Sequence, residues 1–250
     1  MQLDEATALA RDFARKIRAI KAAHGDVAWY PYDSFGNFEH FNSFTGAGRD
    51  LFRYIGTGSK VADIGAADGD TSFFFESLGA DVTIIDNPPT NANSGLAILK
   101  LRSLLKSKAK VQFIDLEWTP WIPGYYDIAV FLGIMYHLRN PGLALNTLAH
   151  STGRLLLSTM VFFRLEDGSD VQHQQLAYFI DRGEINNDST NYWLFTPKAL
   201  RVFLRRSGWL VRDEFVVGDR GASPAKGDCR MFCFCERVDT WKDLRLSCDF

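Results

Sequence analysis

Leu3, Ala6, Leu9, Ala10, Phe13, Ile17 and Ile20 recur at helical spacing near the start of the chain, with Arg and Lys between them. One apolar face surrounded by charge predicts an amphipathic helix from Leu3 to about Ala23. The pattern then breaks into an aromatic, turn-rich stretch, Trp29-Tyr30-Pro31-Tyr32-Asp33 through Phe44, which matches no regular element. A helical pattern over 48–55 leads to Gly56-Thr57-Gly58, where the period changes. Short apolar runs follow at 60–64, 81–85, 111–114, 126–132 and 154–160. They alternate with helical patterns at 71–78, 95–107 and 143–150. Such alternation predicts a parallel sheet covered by helices on both faces.

The rhythm fails across 163–192, which is polar and loop-rich with the run Glu184-Ile185-Asn186-Asn187-Asp188, and then returns. Thr196-Pro197 opens a helix, with Thr as N-cap and Pro in the first turn. Runs at 209–217 and 230–236 read as two closing strands. The expected fold class is α/β, a Rossmann-like, seven-stranded, mostly parallel sheet with helices on both faces. An N-terminal helical and aromatic cap over 1–47 would precede a Rossmann-like domain over 48–250, with an insertion at about 163–195.

Length and composition narrow the partners more than the fold. A chain of 250 residues, 46% hydrophobic and 23% charged, has the make-up of one ordinary globular α/β domain. A formal charge of −2 and a pI near 6.2 give no general pull toward nucleic acid or an anionic membrane. The longest apolar runs, near 128–136 and 155–163, fall far short of the roughly 20 residues that a membrane helix needs. Asp4, Glu5, Arg11 and Asp12 near the N-terminus do not suit a signal peptide, so a cytoplasmic location is the default expectation. Cys229, Cys233, Cys235 and Cys248 lack CxxC spacing, and Cys233 and Cys235 alternate with Phe232 and Phe234 as one face of a strand does. Buried strand thiols are expected there, and no metal site.

The strongest chemical signal is Val61-Ala62-Asp63-Ile64-Gly65-Ala66-Ala67-Asp68-Gly69-Asp70. An apolar strand ends in an acid, turns through two glycines and enters a helix, and Gly65 and Gly69 let backbone approach a ligand closely. There is no GxGxxG and no Lys-Ser/Thr pair after it, so a dinucleotide fold and a P-loop both fit poorly. Asp86 closes the next apolar strand and is followed by Asn87, where a doubly wound fold places the carboxylate that accepts from ribose hydroxyls. Asp115 closes the third, beside Leu116. Each acid alone also suits a solvated strand end; three acids on three successive strands point to one ligand edge.

This series resembles the class I S-adenosylmethionine-dependent methyltransferases from about residue 48 to 237, with Ala66 where that family more often has Cys or Gly. The resemblance implies that Asp63, Gly65, Ala66, Asp68 and Gly69 lie against the methionine part of the cofactor. It places Asp86 and Asn87 at the ribose, and Asp115 and Leu116 at the adenine. Phe131-Leu132-Gly133-Ile134-Met135-Tyr136-His137-Leu138-Arg139-Asn140-Pro141 carries a narrower likeness. It resembles the fourth-strand motif of the enzymes that complete wobble-uridine 5-oxyacetic acid in bacterial tRNA, using carboxy-S-adenosylmethionine. Leu132, Gly133 and Tyr136 would then line the cofactor, with Arg230 matching an arginine that contacts the donor's carboxylate. The family's lysine, in a Trp-Arg-Lys-Gly-Pro-like segment, has no counterpart in Trp29-Tyr30-Pro31-Tyr32, and an unpaired buried carboxylate is costly. Plain S-adenosylmethionine is therefore the expected cofactor, with the carboxylated form as the alternative.

His137 is the candidate general base and Tyr136 the residue orienting the acceptor; both also suit packing beside the cofactor. Trp29, Tyr30 and Tyr32, with Arg230, are the candidate acceptor-binding residues, and the aromatic stretch suits a lid and a staple for the first helix equally. The basic runs Lys100–Lys110 and Lys198–Arg206 read as solvated helix faces without the interleaved aromatics of a single-strand platform. The expected function is methyl transfer to an oxygen or nitrogen of a small molecule, with tRNA as the competing partner. A catalytically silent cofactor-binding module is the third reading.

Overall fold

The first helix forms because its small and apolar residues share one face. In a computed structural model that describes residues 1–226 and 228–238, α1 runs Leu3–Ala23 and buries Leu3, Ala6, Thr7, Ala10, Ala14 and Ile17. Asp4 and Glu5 in its first turn and Lys21 in its last complement the helix dipole. Leu9, expected on the apolar face, is 42% exposed. Within the stretch expected to be irregular, the chain makes a short helix, α2 (Gly36–Phe41), and residues 47–53 form a 3-10 helix in place of an α-helix. Rings drive this packing: Phe38 meets Phe74 edge-on at 5.2 Å, and Phe13 lies 5.7 Å from Phe74.

The chain divides into two compact units, the first comprising residues 1–116 and 124–130. In it β1 (Lys60–Ile64) leads through the glycine loop to α3 (Asp70–Ser77) and β2 (Asp81–Asp86). Next come α4 (Leu96–Leu105), β3 (Lys110–Phe113) and the start of β4 (Ile128–Leu132). β1 pairs in parallel with β2, Asp63 opposite Ile84, and with β4, Asp63 opposite Val130. β3 pairs in parallel with β2. The burial of β1 and β2 on both faces is what a central parallel strand requires.

The second unit comprises residues 117–123 and 131–250. After a 3-10 turn at 135–137, α5 (Pro141–Ser151) is capped by Asn140, which accepts from Leu143 N–H, with Pro141 in the first turn. β5 (Arg154–Met160) follows. The segment expected to be irregular contains β6 (Ala177–Phe179) and β7 (Trp193–Phe195), an antiparallel pair with Tyr178 opposite Leu194. These three-residue strands are too short to leave a periodic trace. α6 (Pro197–Arg206) has the expected Thr196 cap, accepting from Ala199 N–H. β8 (Trp209–Val217) and β9 (Arg230–Arg237) close the chain, and β9 lies antiparallel between β5 and β8. Cys233 and Cys235 are buried on β9 and burial raises both thiols, as a core role requires, whereas Cys248 lies outside the described residues. Seven strands hydrogen-bond in the order β3-β2-β1-β4-β5-β9-β8, the mostly parallel Rossmann-like sheet that the alternation predicts.

Candidate functional site

In the first unit the chemistry gathers at the carboxyl ends of β1 and β2. The loop after β1 alternates left-handed residues, Gly65 at φ 67°, Ala67 at 56° and Gly69 at 85°. Such alternation turns successive N–H groups to one side and makes a concavity for an anion. Here that anion is Asp86. The N–H groups of Ala66 and Ala67 donate to its carboxylate, as do Asn87 N–H at 2.8 Å and the Asn91 amide at 3.2 Å. Burial raises the Asp86 pKa, and these donors oppose the rise. Asn91 also donates to Ala67 O at 3.1 Å, tying the segment after β2 to the loop.

Asp63 is held from the start of α3. Thr71 and Ser72, in the first turn of α3, donate to its Oδ2 at 2.9 and 2.6 Å. Burial pushes its carboxyl up to about 6, the two hydroxyls hold it down, and the charge of Asp86 raises it further. Asp68 is fully engaged within the protein: Lys21 Nζ donates at 2.6 Å, Tyr30 N–H at 3.1 Å and the Asn93 amide at 2.8 Å. Lys21 also reaches Asp70 at 2.7 Å. Asp115 and Leu116 follow β3, whose last residue is Phe113, and Leu116 is buried.

The aromatic stretch divides its labour. Trp29 donates its indole N–H to the Lys21 and His24 carbonyls, at 3.1 and 2.9 Å, and so closes the C-terminus of α1. Phe35 and Phe38 are buried core, so these three residues act as the staple. Tyr30 accepts Ala92 N–H on its hydroxyl at 2.9 Å, and Tyr32, 58% exposed, meets it edge-on.

The second unit brings the remaining candidates together. Leu132 ends β4, and Gly133, at φ 73°, turns the chain and donates its N–H to Ser158 O at 2.9 Å. The Tyr136 and His137 rings lie 4.2 Å apart. Arg230 lies over the Tyr136 ring, 5.4 Å from its centre, and donates to its hydroxyl at 3.3 Å. His137 Nδ1 meets Thr190 Oγ1 at 2.9 Å and Thr190 O at 3.3 Å. Burial lowers the His137 pKa below its ordinary 6.5, Arg230 acts in the same direction, and Asp188 and the Thr190 carbonyl oppose them.

Sequence reasoning missed Lys21, Asn91 and Asn93 in the first unit and Asp188 and Thr190 in the second. Lys21 looked like one more solvated helix cation. The only trace of the others was the polar character of 91–93 and of 186–190.

No family model matches the chain, and no curated protein matches its sequence. Solved structures do resemble it. The N-terminal domain of EvdMO1, crystallised in the presence of SAH and D-fucose, superimposes with a TM-score of 0.55 at 13% identity over 88% of this chain and 96% of that one. A SAM-dependent methyltransferase from Methanosarcina mazei gives 0.53 at 15% identity over 75% and 96%. TehB from Haemophilus influenzae gives 0.52 at 17% over 76% and 60%. At these identities the likeness is one of fold, and the fold is that of the Rossmann-like methyltransferases.

Proposed function

We propose that this chain is an S-adenosylmethionine-dependent methyltransferase acting on an oxygen or nitrogen of a small-molecule acceptor. The observation that carries the proposal is the buried hydrogen-bonded cluster of the glycine loop with Asp86, at the strand ends where doubly wound sheets bind ligands. Asp86 suits a ribose. An ionised carboxylate accepts through about four lone-pair positions, and among its donors Asn91 is the one side chain, hence the one free to yield to a hydroxyl. Gly65 keeps the backbone open for the methionine portion, Gly69 makes room for the Phe73 ring, which a Cβ there would meet at 2.9 Å, and Asp115 and Leu116 take the adenine. When bound, the cofactor supplies an activated methyl group; the protein's part is to hold, orient and exclude water.

The small-molecule class is supported by charge. Within the basic helix faces, Arg201 is paired with Glu214 and Lys100 with Asp26, while Lys110 on β3 is paired with Asp81. Part of the cationic surface that RNA would need is thus neutralised. A second reading, carboxymethyl transfer to tRNA, is favoured by one feature: a guanidinium and a phenol hydroxyl set together at Arg230 and Tyr136, a pair suited to a carboxylate.

Calorimetric titration with S-adenosylmethionine, S-adenosylhomocysteine and carboxy-S-adenosylmethionine tests both. Binding of the first two, weakened at least tenfold in Asp86→Ala, is expected, since losing hydrogen bonds to a charged acceptor costs about 1.5–3 kcal/mol. Preference for the carboxylated donor would bring tRNA forward. Absence of binding to all three would leave a silent module.

A further inference from the structure

Three segments of the second unit, each fixed by its own hydrogen bonds, meet around a cavity of about 200 Å³ lined by residues between Phe163 and Arg220. The first is the chain after β5. There Val171 N–H returns to Phe163 O at 2.8 Å, and the Thr196 hydroxyl donates to Gln174 O at 2.5 Å. The second is the start of α6, with Pro197 in its first turn and Arg201 one turn on. The third is the loop after β8. Gly218, at φ 98°, folds it back so closely that a Cβ there would stand 2.9 Å from Cys229 Cα. Cys229 O in turn accepts Val161 N–H at 3.0 Å, two residues before Phe163. These ties carry Arg220 over the Phe163 ring, 5.4 Å from its centre. A cavity whose walls are set by backbone bonds is formed before a ligand arrives, as small-molecule sites usually are.

Charge around the cavity is unbalanced. Arg201 and Glu214 cancel, with Arg201 Nε donating to both carboxylate oxygens at 2.8 and 2.9 Å. Arg220 has no such partner: among the described residues no carboxylate forms an ion pair with it. The acids of its own loop are engaged by backbone, Asp219 accepting Gly221 N–H at 2.8 Å and Asp228 accepting Asp219 N–H at 3.2 Å. Phe163, Pro197 and Val216 supply an apolar wall. A guanidinium lying over a ring keeps its N–H fork free in its own plane, the edge that matches a carboxylate in two parallel bonds. We propose that this cavity is a binding site for an aromatic monocarboxylate, held by Arg220 and packed against Phe163. One uncompensated cation calls for one negative charge, and the Phe163 ring favours a flat apolar body. A volume of about 200 Å³, below the roughly 300–1,000 Å³ of drug-sized pockets, suits a single ring. The site lies wholly within the second unit and stands apart from the methyl-transfer reading.

Backbone amide NMR of the 15N-labelled full chain, titrated in parallel with benzoate, benzamide and acetate, tests the site without any cofactor. Benzoate should move the Phe163, Val216 and Arg220 amides saturably, with a dissociation constant of about 0.1–1 mM. Benzamide keeps the ring without the charge, and acetate keeps the charge without the ring. Each should bind at least about tenfold more weakly than benzoate. Arg220 is exposed, so Arg220→Gln should fold normally and bind benzoate no better than benzamide. Arg220→Lys keeps a point charge without the fork and should recover part of the preference. No saturable movement of those amides, or benzoate binding that Arg220→Gln leaves intact, overturns the site. Benzamide binding as tightly as benzoate overturns the choice of an anion. Acetate binding as tightly, or inorganic phosphate displacing benzoate at equal concentration, overturns the aromatic carboxylate as the ligand class.

Discussion

Asp63 offers the sharpest quantitative test, because its burial is worth something only at certain pH values. In the folded chain its carboxyl titrates at about 6, against an ordinary 3.8. Between those values the folded state binds the proton more tightly than the unfolded state, so stability falls as pH rises and the whole loss is present above about 6. At 1.36 kcal/mol per pH unit the gap amounts to about 3 kcal/mol. Asp63→Asn removes the titration while keeping an oxygen that can accept from Thr71 and Ser72, both of which donate to a single carboxylate oxygen. The variant should therefore gain on the unaltered chain by about 1 kcal/mol more at pH 7.5 than at pH 5, where roughly half of the loss is already present. Urea unfolding across that range measures the difference. The same variant should bind S-adenosylmethionine more weakly, the exchange of stability for function expected of a strained site. A stability difference that is flat with pH, or that turns in favour of the unaltered chain as pH rises, would refute the reasoning.

Other substitutions probe the scaffold. Lys21→Met leaves Asp68 and Asp70 buried without their shared cation and should cost about 3–5 kcal/mol; Asp70→Asn added to it should restore part of the loss in thermal melts. Gly133→Ala forces φ 73° on a residue with a Cβ, at about 1–2 kcal/mol, and its methyl would stand 3.0 Å from Arg230 Nη1. The expected readout is a lower midpoint and altered Tyr136 fluorescence. Thr196→Ala deletes the α6 cap and the hydroxyl that donates to Gln174 O, and should cost about 1–2 kcal/mol by denaturant titration.

Much of the fold was legible because burial imposes a period. Leu3, Ala6, Ala10 and Ile17 declare one helix face, though Ala14 was overlooked, and Thr196-Pro197 marks a helix start by local hydrogen bonding alone. Asp63 and Asp86 could be found for the same local reason, each ending an apolar strand. What could not be read depends on partners distant in sequence. α2, β6 and β7 are too short to show a period and owe their form to what they pack against. Lys21 meets Asp68 across 47 positions, and His137 meets Thr190 across 53. Neither pair carries any mark in the residues around it. The aromatic stretch was ambiguous because Trp, Tyr and Phe serve cores and pockets alike, and only the indole hydrogen bonds of Trp29 show it closing a helix.

The charge of the first unit bears on which cofactor species it prefers. Asp63, Asp68, Asp70 and Asp86 are all at most 6% exposed, and Lys21 is committed to Asp68 and Asp70. Asp63 and Asp86 therefore rely on hydroxyls and N–H dipoles, and the charge of Asp86 makes Asp63 harder to ionise. A cationic sulfonium ligand relieves that repulsion, whereas the neutral thioether left after methyl transfer does not. S-adenosylmethionine should thus bind more tightly than S-adenosylhomocysteine at pH 8. The ratio should shrink as pH falls through about 6, because Asp63 then takes up a proton and one negative charge disappears. A unit charge at roughly 8 Å and an effective dielectric near 20 contributes about 2 kcal/mol, roughly 30-fold, so the change in ratio should be measurable by calorimetry. In Asp63→Asn the ratio should no longer vary across that range. A ratio that holds steady with pH in the unaltered chain would mean that Asp63 does not sense the sulfonium, and its role would reduce to anchoring the first turn of α3.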